Sequence, residues 1–111
     1  MKIKTFASSK KVPPDYSGKC KIFHESSTCY FLNGKLHRED GPAKEYSNSR
    51  KIWYINGQIH REDGPACEYE NGSKQWWYKD KNYGINNDFT NKTWIEKVNE
   101  MKREEELKIF I

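Results

Sequence analysis

The sequence predicts a mainly β protein, a curved single-layer antiparallel sheet of stacked β-hairpin repeats that ends in a C-terminal α-helix. Three observations predict it. A segment of the chain is duplicated 23 residues further on, Asn-Gly pairs separate short aromatic runs, and a helical apolar stripe occurs only in the last quarter. Together they indicate a stack of similar units rather than one irregular domain.

The duplication defines the domain organisation. YFLNGKLHREDGPAKEY at 30–46 returns as WYINGQIHREDGPACEY at 53–69. Self-similarity at a period of about 20 to 50 residues is typical of stacked repeats, whose terminal units are often degraded into caps. We therefore predict two full units, 30–52 and 53–75, with a degraded cap on either side, in a repeat domain at 16–89.

Turn residues place the strands within each unit. Asn33-Gly34 and Asn56-Gly57 lie between aromatic or β-branched runs, and Asn71-Gly72 supplies a further turn. Asn-Gly is the strongest short hairpin signal because both turn residues need positive φ. The expected strands lie near 19–24, 28–32, 43–47, 51–55, 66–70 and 74–79.

The last segment, 90–111, is predicted to be helical. It contains no Gly or Pro, and Asp88 or Thr90 could cap it. The apolar residues at i, i+1, i+4 and i+7 are Trp94, Ile95, Val98 and Met101. This stripe predicts a helix over about 90–106 that packs on the sheet or on its end.

Composition favours a thin fold. Only 34% of residues are hydrophobic, mean hydropathy is −1.12, and aromatics at 14% must supply much of the buried area. No apolar run is long enough to cross a membrane, and no secretory signal is evident, so we expect a cytoplasmic protein. The three cysteines, Cys20, Cys29 and Cys67, are expected to be reduced, with a Cys20–Cys29 cross-strand bridge as the alternative.

Positive charge is concentrated at the N-terminus. Residues 1–22 carry six lysines against Asp15, a net charge of +5, whereas residues 23–111 sum to −1. We interpret 1–15 as a basic arm whose Lys10 and Lys11 could contact phosphates or an acidic protein. The alternative is a solubilising, partly disordered leader.

The duplicated motif resembles repeat variants related to MORN motifs. YFLNGKLHREDGPA and WYINGQIHREDGPA look like repeats found in many small tailed-phage proteins, and PPDYSGKCKIF looks like an opening of that type. The resemblance covers about 16–83. It implies stacked hairpins that serve as scaffolds or as protein or lipid contacts, without a shared activity. It also implies host cytoplasm and action on a host protein, such as one of host defence.

We interpret the HRED segment as structural rather than catalytic. His-Arg-x-Asp occurs in kinase catalytic loops, but no nucleotide-binding loop accompanies it, and a shared metal site would be strained. Side chains of His and Asp are expected to satisfy turn amides, and Arg38 is expected to pair with Glu62 or Asp63 of the next unit. The motif residues are His37, Arg38, Asp40, His60, Arg61 and Asp63.

Aromatic side chains are the better binding candidates. Alternation along the strands predicts that Phe31, Tyr54 and Trp77 share one face, either exposed or stacked as a cross-strand ladder. The opposite, packed face would carry Tyr30, Leu32, Trp53, Ile55, Trp76 and Tyr78.

Three classes of function follow from this reasoning. The first is a non-enzymatic protein-binding module, an inhibitor or adaptor that binds a host protein. The second is nucleic-acid or nucleotide binding, with the aromatic column as stacking platforms and lysines for phosphates. The third class, an enzyme, has the least support in the sequence. No cofactor, metal or membrane partner is expected. The chain would be a monomer or a homodimer through edge strands. The predicted partner-binding residues are Phe31, Tyr54, Trp77, Lys79, Lys81 and Tyr83.

Overall fold

The computed structural model describes residues 3–109, which form one open sheet, a separate small hairpin and one helix. Residues 1 and 2 of the predicted arm and 110 and 111 of the predicted helical segment lie outside the described residues. The helix, α1, spans Asn91–Ile109. The strands are β1 Lys4–Phe6, β2 Gly18–Ile22, β3 Ser27–Leu32, β4 Lys35–Leu36, β5 Lys44–Tyr46, β6 Lys51–Ile52, β7 Tyr54–Ile55, β8 Gln58–Ile59, β9 Cys67–Glu68, β10 Lys74–Tyr78 and β11 Lys81–Ile85.

The strand order confirms the predicted fold class. Within the described residues, nine strands form a sheet in the order β1-β2-β3-β5-β6-β9-β10-β11, with β4 beside β3, while β7 and β8 pair separately. Every pairing is antiparallel except that of β1 with β2, which aligns Lys4 with Cys20 in parallel. The sheet is therefore mixed at that edge, and it does not close into a barrel.

The turns form as their sequence predicts. Asn33 and Gly34 have φ values of 50° and 77°, and Asn56 and Gly57 have values of 50° and 79°. Five of the six expected strands are present at nearly their predicted positions, but 51–55 is interrupted at Trp53. The amide of Trp53 donates to the carbonyl of Ala66 at 2.8 Å, and the chain then leaves the main sheet for the β7–β8 hairpin.

Helix α1 begins where a threonine pair caps it. The Thr93 amide donates to Oγ1 of Thr90 at 3.1 Å, and the Thr90 amide donates to Oγ1 of Thr93 at 2.8 Å. Asp88, the other predicted cap, instead accepts the Ile85 amide at 2.8 Å. The helix continues three residues beyond the predicted end, because Leu, Lys, Glu and Arg all favour helix and no breaker follows.

The helix packs on one face of the third unit. Trp76 and Tyr78 of β10 are buried against the helix residues Trp94, Val98 and Met101. The predicted stripe therefore faces the sheet, with the exception of Ile95, which is exposed. On the same predicted face, Tyr30, Trp53 and Ile55 are only half-buried and Leu32 is exposed, because the core under the helix includes residues of the third unit and none of these four.

A second core lies at the N-terminal side of the sheet. It consists of Cys20, Ile22, Cys29 and Phe31, with Phe6, Val12, Tyr16 and Leu36 packed around them. Phe31 is only 8% exposed, so the expectation that it is an exposed anchor is wrong. The physical reason is that residues 4–16 fold back over this face. Lys10 and Lys11 remain exposed in a short 3-10 turn, Ser9–Lys11.

Candidate functional site

The histidine of each motif copy links one unit to the next. Nδ1 of His37 accepts the backbone N–H of Asn56 at 2.9 Å, and Nδ1 of His60 accepts that of Lys79 at 3.0 Å. Both donors begin tight turns and have φ values of 50° and 49°. The two side chains therefore perform the same task 23 residues apart, which is to fix the hairpin turn of the following unit.

Removing either histidine should weaken the stack. We expect His37→Ala to lower the free energy of unfolding by about 1 kcal/mol, the usual net worth of one hydrogen bond, and His60→Ala to lower it by more, because Nε2 of His60 also bonds Glu62. Urea denaturation of the two variants measures this. An unchanged midpoint in both variants would show that these bonds do not hold the units together.

The arginine of each motif copy clamps its own turn. The guanidinium of Arg38 lies 4.1 Å from the ring centroid of Tyr30, its Nε donates to Asp40 at 3.0 Å, and its Nη1 donates to the Pro42 carbonyl at 3.1 Å. Nη1 also reaches Glu45 at 3.3 Å. Stacking on a ring while binding a carboxylate is a role that the planar guanidinium suits and the lysine ammonium does not.

The second copy repeats this clamp. Arg61 lies 4.0 Å from the ring of Trp53, and its Nε donates to Asp63 at 2.9 Å. Gly64 leaves room for this arrangement, because a Cβ at that position would lie 2.8 Å from Cζ of Arg61 and the guanidinium would have to shift. The predicted pairing of Arg38 with Glu62 or Asp63 of the next unit is therefore wrong. The turn folds each arginine back onto the Asp two residues later, so that Asp serves the arginine rather than a turn amide.

A groove of about 780 Å³ lies between the two motif turns. Trp53 and Ile55, both half-buried, provide its apolar surface. The carboxylates of Glu39, Asp40 and Asp63 stand on its rim, and their side chains are 84%, 86% and 77% exposed. The remaining lining residues are Arg38, Gly41, Pro42, His60, Arg61 and Glu62.

The groove is acidic. Four carboxylates line it against two guanidinium groups, a formal excess of two negative charges, of which Lys102 of the helix offsets one by pairing with Glu62. Among residues 3–109, the one basic group within 4.0 Å of the Glu39 carboxylate is the imidazole of His37, at 3.8 Å. Burial alone would raise the pKa of Glu62, but hydrogen bonds from Lys102 of the helix and from His60 hold that pKa below its usual value. Glu62 is therefore ionised at neutral pH.

Sequence reasoning assigned the motif to architecture and did not identify this groove. The available signal was the consecutive Glu-Asp pair in each copy, which stacking brings to the two walls of one cleft. The other signal was Trp53 at the junction of the units. Neither signal identifies a groove until the two motif turns are known to face each other.

The predicted partner-binding residues fall into separate places. Lys79, Lys81 and Tyr83 line a hollow of about 230 Å³ beside the helix, where Nζ of Lys79 pairs with Glu105 at 3.1 Å. Tyr54 and Trp77 are half-buried, and Nε1 of Trp77 donates to Gln75 at 3.0 Å. With Phe31 in the N-terminal core, the aromatic column does not offer three exposed stacking platforms.

The cysteines are buried and free. Cys20 and Cys29 lie directly opposite each other on β2 and β3. Burial raises the pKa of Cys20 and of Cys67 to about 11, which disfavours the reactive thiolate. Within residues 3–109, no cluster of three or more His, Cys, Asp or Glu side chains could hold a metal ion. Among the residues that the structure describes, no helix is both long and apolar enough to cross a bilayer.

Comparison with known proteins gives no relative: no family model, no curated protein and no solved structure matches the chain.

Proposed function

We propose that the protein is a non-enzymatic protein-binding module whose acidic groove takes a basic, partly apolar segment of a partner protein. With the resemblance of its repeats to those of tailed-phage proteins, the proposed partner is a bacterial host protein that the module inhibits or recruits. The observation that carries the proposal is the apolar floor of Trp53 and Ile55 beneath a rim of exposed carboxylates.

The chemistry of the groove favours recognition of a cationic chain. Carboxylates on both walls steer a basic segment toward the groove and fix its register. Tryptophan is enriched among the residues that carry binding energy, because it buries a large area at little entropic cost. The volume of about 780 Å³ accommodates several side chains of an extended segment.

The histidines support a binding role over a catalytic one. Nδ1 of each imidazole holds a turn amide, and Nε2 of His60 lies 2.9 Å from Glu62. Both nitrogens of His60 and Nδ1 of His37 are therefore engaged in structural bonds, which leaves these imidazoles poorly placed to transfer protons to a substrate.

Nucleic-acid binding is the alternative, and the groove does not favour it because its carboxylates repel phosphates. Lys10 and Lys11 are exposed and remain the residues on which that alternative would depend.

Charge reversal on the groove walls tests the proposal. The tagged protein is used to capture partners from bacterial lysate with and without nuclease, as wild type and as Glu39→Lys/Asp63→Lys. We expect a stoichiometric protein that survives nuclease and whose affinity falls at least tenfold in the variant, because like charges across an interface cost several kcal/mol.

The matched control is Asp15→Lys/Glu96→Lys, which makes the same change in net charge at exposed positions outside the groove. It should capture the partner as the wild type does. Equal losses in both variants would show a general charge effect, and a signal that vanishes with nuclease would favour nucleic acid. Either result would overturn the proposal.

A further inference from the structure

A second pocket lies at the opposite end of the strands from the motif turns, and Arg50 is its central residue. The guanidinium of Arg50 lies 5.2 Å from the ring centroid of Tyr46 and 5.0 Å from that of Tyr69. These residues occupy neighbouring strands or their turns, so the two rings hold the guanidinium between them. Arg50 has no counterpart in the next unit, where Ser73 stands at the equivalent position.

The guanidinium of Arg50 has an unfilled hydrogen-bonding site. Its Nε is buried and has no hydrogen-bond partner within residues 3–109. By contrast, Nε of Arg38 donates to Asp40 and Nε of Arg61 donates to Asp63. A buried donor without an acceptor is costly, and charged donors more so than neutral ones. An anion that accepts from this edge of the guanidinium would remove that cost.

The pocket around Arg50 carries further donors. It has a volume of about 350 Å³ and is also lined by Asn48, Tyr69, Glu70 and Asn71. Oδ1 of Asn48 accepts the Arg50 amide at 3.1 Å, and Oδ1 of Asn71 accepts the Ser73 amide at 2.9 Å. Because each Oδ1 is turned toward a backbone amide, the Nδ2 donors of both asparagines can serve a ligand.

We propose that this pocket binds a phosphate group, either free phosphate or the phosphate of a small monoester. The Nε edge of a guanidinium presents two parallel N–H bonds that match two phosphate oxygens. Because the Arg50 side chain as a whole is only half-buried, a rotation between the tyrosine rings would bring this edge to an anion in the pocket. The Nδ2 groups of Asn48 and Asn71 supply donors for the remaining oxygen. The exposed carboxylate of Glu70 opposes an anion, so millimolar affinity is expected.

The guanidinium signals themselves provide the test. In ¹⁵N NMR spectra of the full chain, the Nε–H resonance of Arg50 should shift and saturate on titration with sodium phosphate at constant ionic strength. The Nε–H resonances of Arg38 and Arg61 should not shift, because these N–H groups already donate to Asp40 and Asp63. A titration with phenyl phosphate, whose ring can contact Tyr69, tests whether a phosphate monoester binds more tightly than free phosphate. A titration with acetate tests whether a carboxylate binds as well as a phosphate.

Two substitutions complete the experiment. Glu70→Gln should tighten phosphate binding about two- to fivefold, the effect of one exposed charge. Arg50→Lys keeps the charge but lacks the two-pronged edge, and should abolish the saturable shift of the Asn48 and Asn71 side-chain amides. Three results would each overturn the proposal. The Arg50 Nε–H resonance could shift linearly together with that of the exposed Arg103, acetate could bind as tightly as phosphate, or Glu70→Gln could leave the phosphate affinity unchanged.

Discussion

Trp94→Ala should lower the free energy of unfolding by about 3–5 kcal/mol, the range for truncating a large buried aromatic. Trp94 is fully buried and lies 5.0 to 6.0 Å, centroid to centroid, from Phe89, Trp76 and Tyr83. Its Nε1 also donates to the backbone carbonyl of Arg61 at 2.8 Å. The substitution removes both the apolar contact and the bond that ties the helix to the second motif turn.

The neighbouring residue provides the control. Ile95 is 40% exposed although the sequence pattern placed it in the apolar stripe. It lies about 100° around the helix from Trp94, so it does not face the sheet. Thermal unfolding followed by far-UV circular dichroism should show a loss of more than 10 °C for Trp94→Ala and little change for Ile95→Ala. Similar losses in both would show that the helix packs through a different face.

Glu25→Gln should destabilise the fold strongly, whereas Lys44→Met should be nearly neutral. Lys44 lies on the buried face of the sheet, opposite Cys29 and Ile52, and its ammonium pairs with Glu25. Removing Glu25 leaves a buried charge without a partner, at a cost of about 2–4 kcal/mol, somewhat below the usual range because Glu25 is 27% exposed. Removing Lys44 leaves a carboxylate that water can still reach, and methionine fills similar volume.

The pH dependence of stability supplies a second readout for this pair. Burial alone would raise the pKa of Glu25, but the hydrogen bond and charge of Lys44 hold it below its usual value. The contribution of Glu25 is therefore present above the ordinary glutamate pKa and is lost as pH falls through the lower folded-state pKa.

Burial alone would lower the pKa of Lys44, yet the bond to Glu25 raises it, so the contribution of Lys44 is lost only at alkaline pH. Urea denaturation of wild type and variants from about pH 7 to about pH 3 measures the acid side. If Glu25→Gln and Lys44→Met cost the same, the pair is not buried as described.

Local sequence signals predicted much of the fold because the turns carry their own chemistry. Asn-Gly at 33–34 and 56–57 adopts the positive φ values that its residues favour. The third unit forms the same backbone turn without an Asn-Gly pair. Lys79 and Asp80 stand at the positions equivalent to Asn56 and Gly57 and have φ values of 49° and 68°. Their conformation is held by tertiary bonds, since His60 accepts the Lys79 amide and Asp80 accepts that of Ile59 at 3.1 Å.

What the sequence could not predict depends on contacts between distant residues. Alternation correctly put Phe31 on the face opposite Tyr30, but which face is covered depends on where residues 4–16 and the helix lie. The N-terminal strand Lys4–Phe6 pairs with the sheet in parallel, and no turn motif next to it in the sequence predicts this strand. The groove likewise exists only because two turns 23 residues apart face each other.

The duplicated motif contributes to both the fold and the groove. Its histidines and arginines build the turns, while its carboxylates and the intervening Trp53 leave a groove open to a partner. Duplicating HREDGPA therefore produces a surface that a single copy could not form.

Hydrogen–deuterium exchange of the protein, alone and bound to the partner captured from lysate, tests whether the groove is the binding surface. We predict that binding slows exchange in 38–42 and 55–63, the two walls of the groove, and leaves 1–22 unchanged. Protection confined to 79–83 and the helix, or to the basic arm, with unchanged exchange at both motif turns, would contradict the claim that the groove is the binding surface.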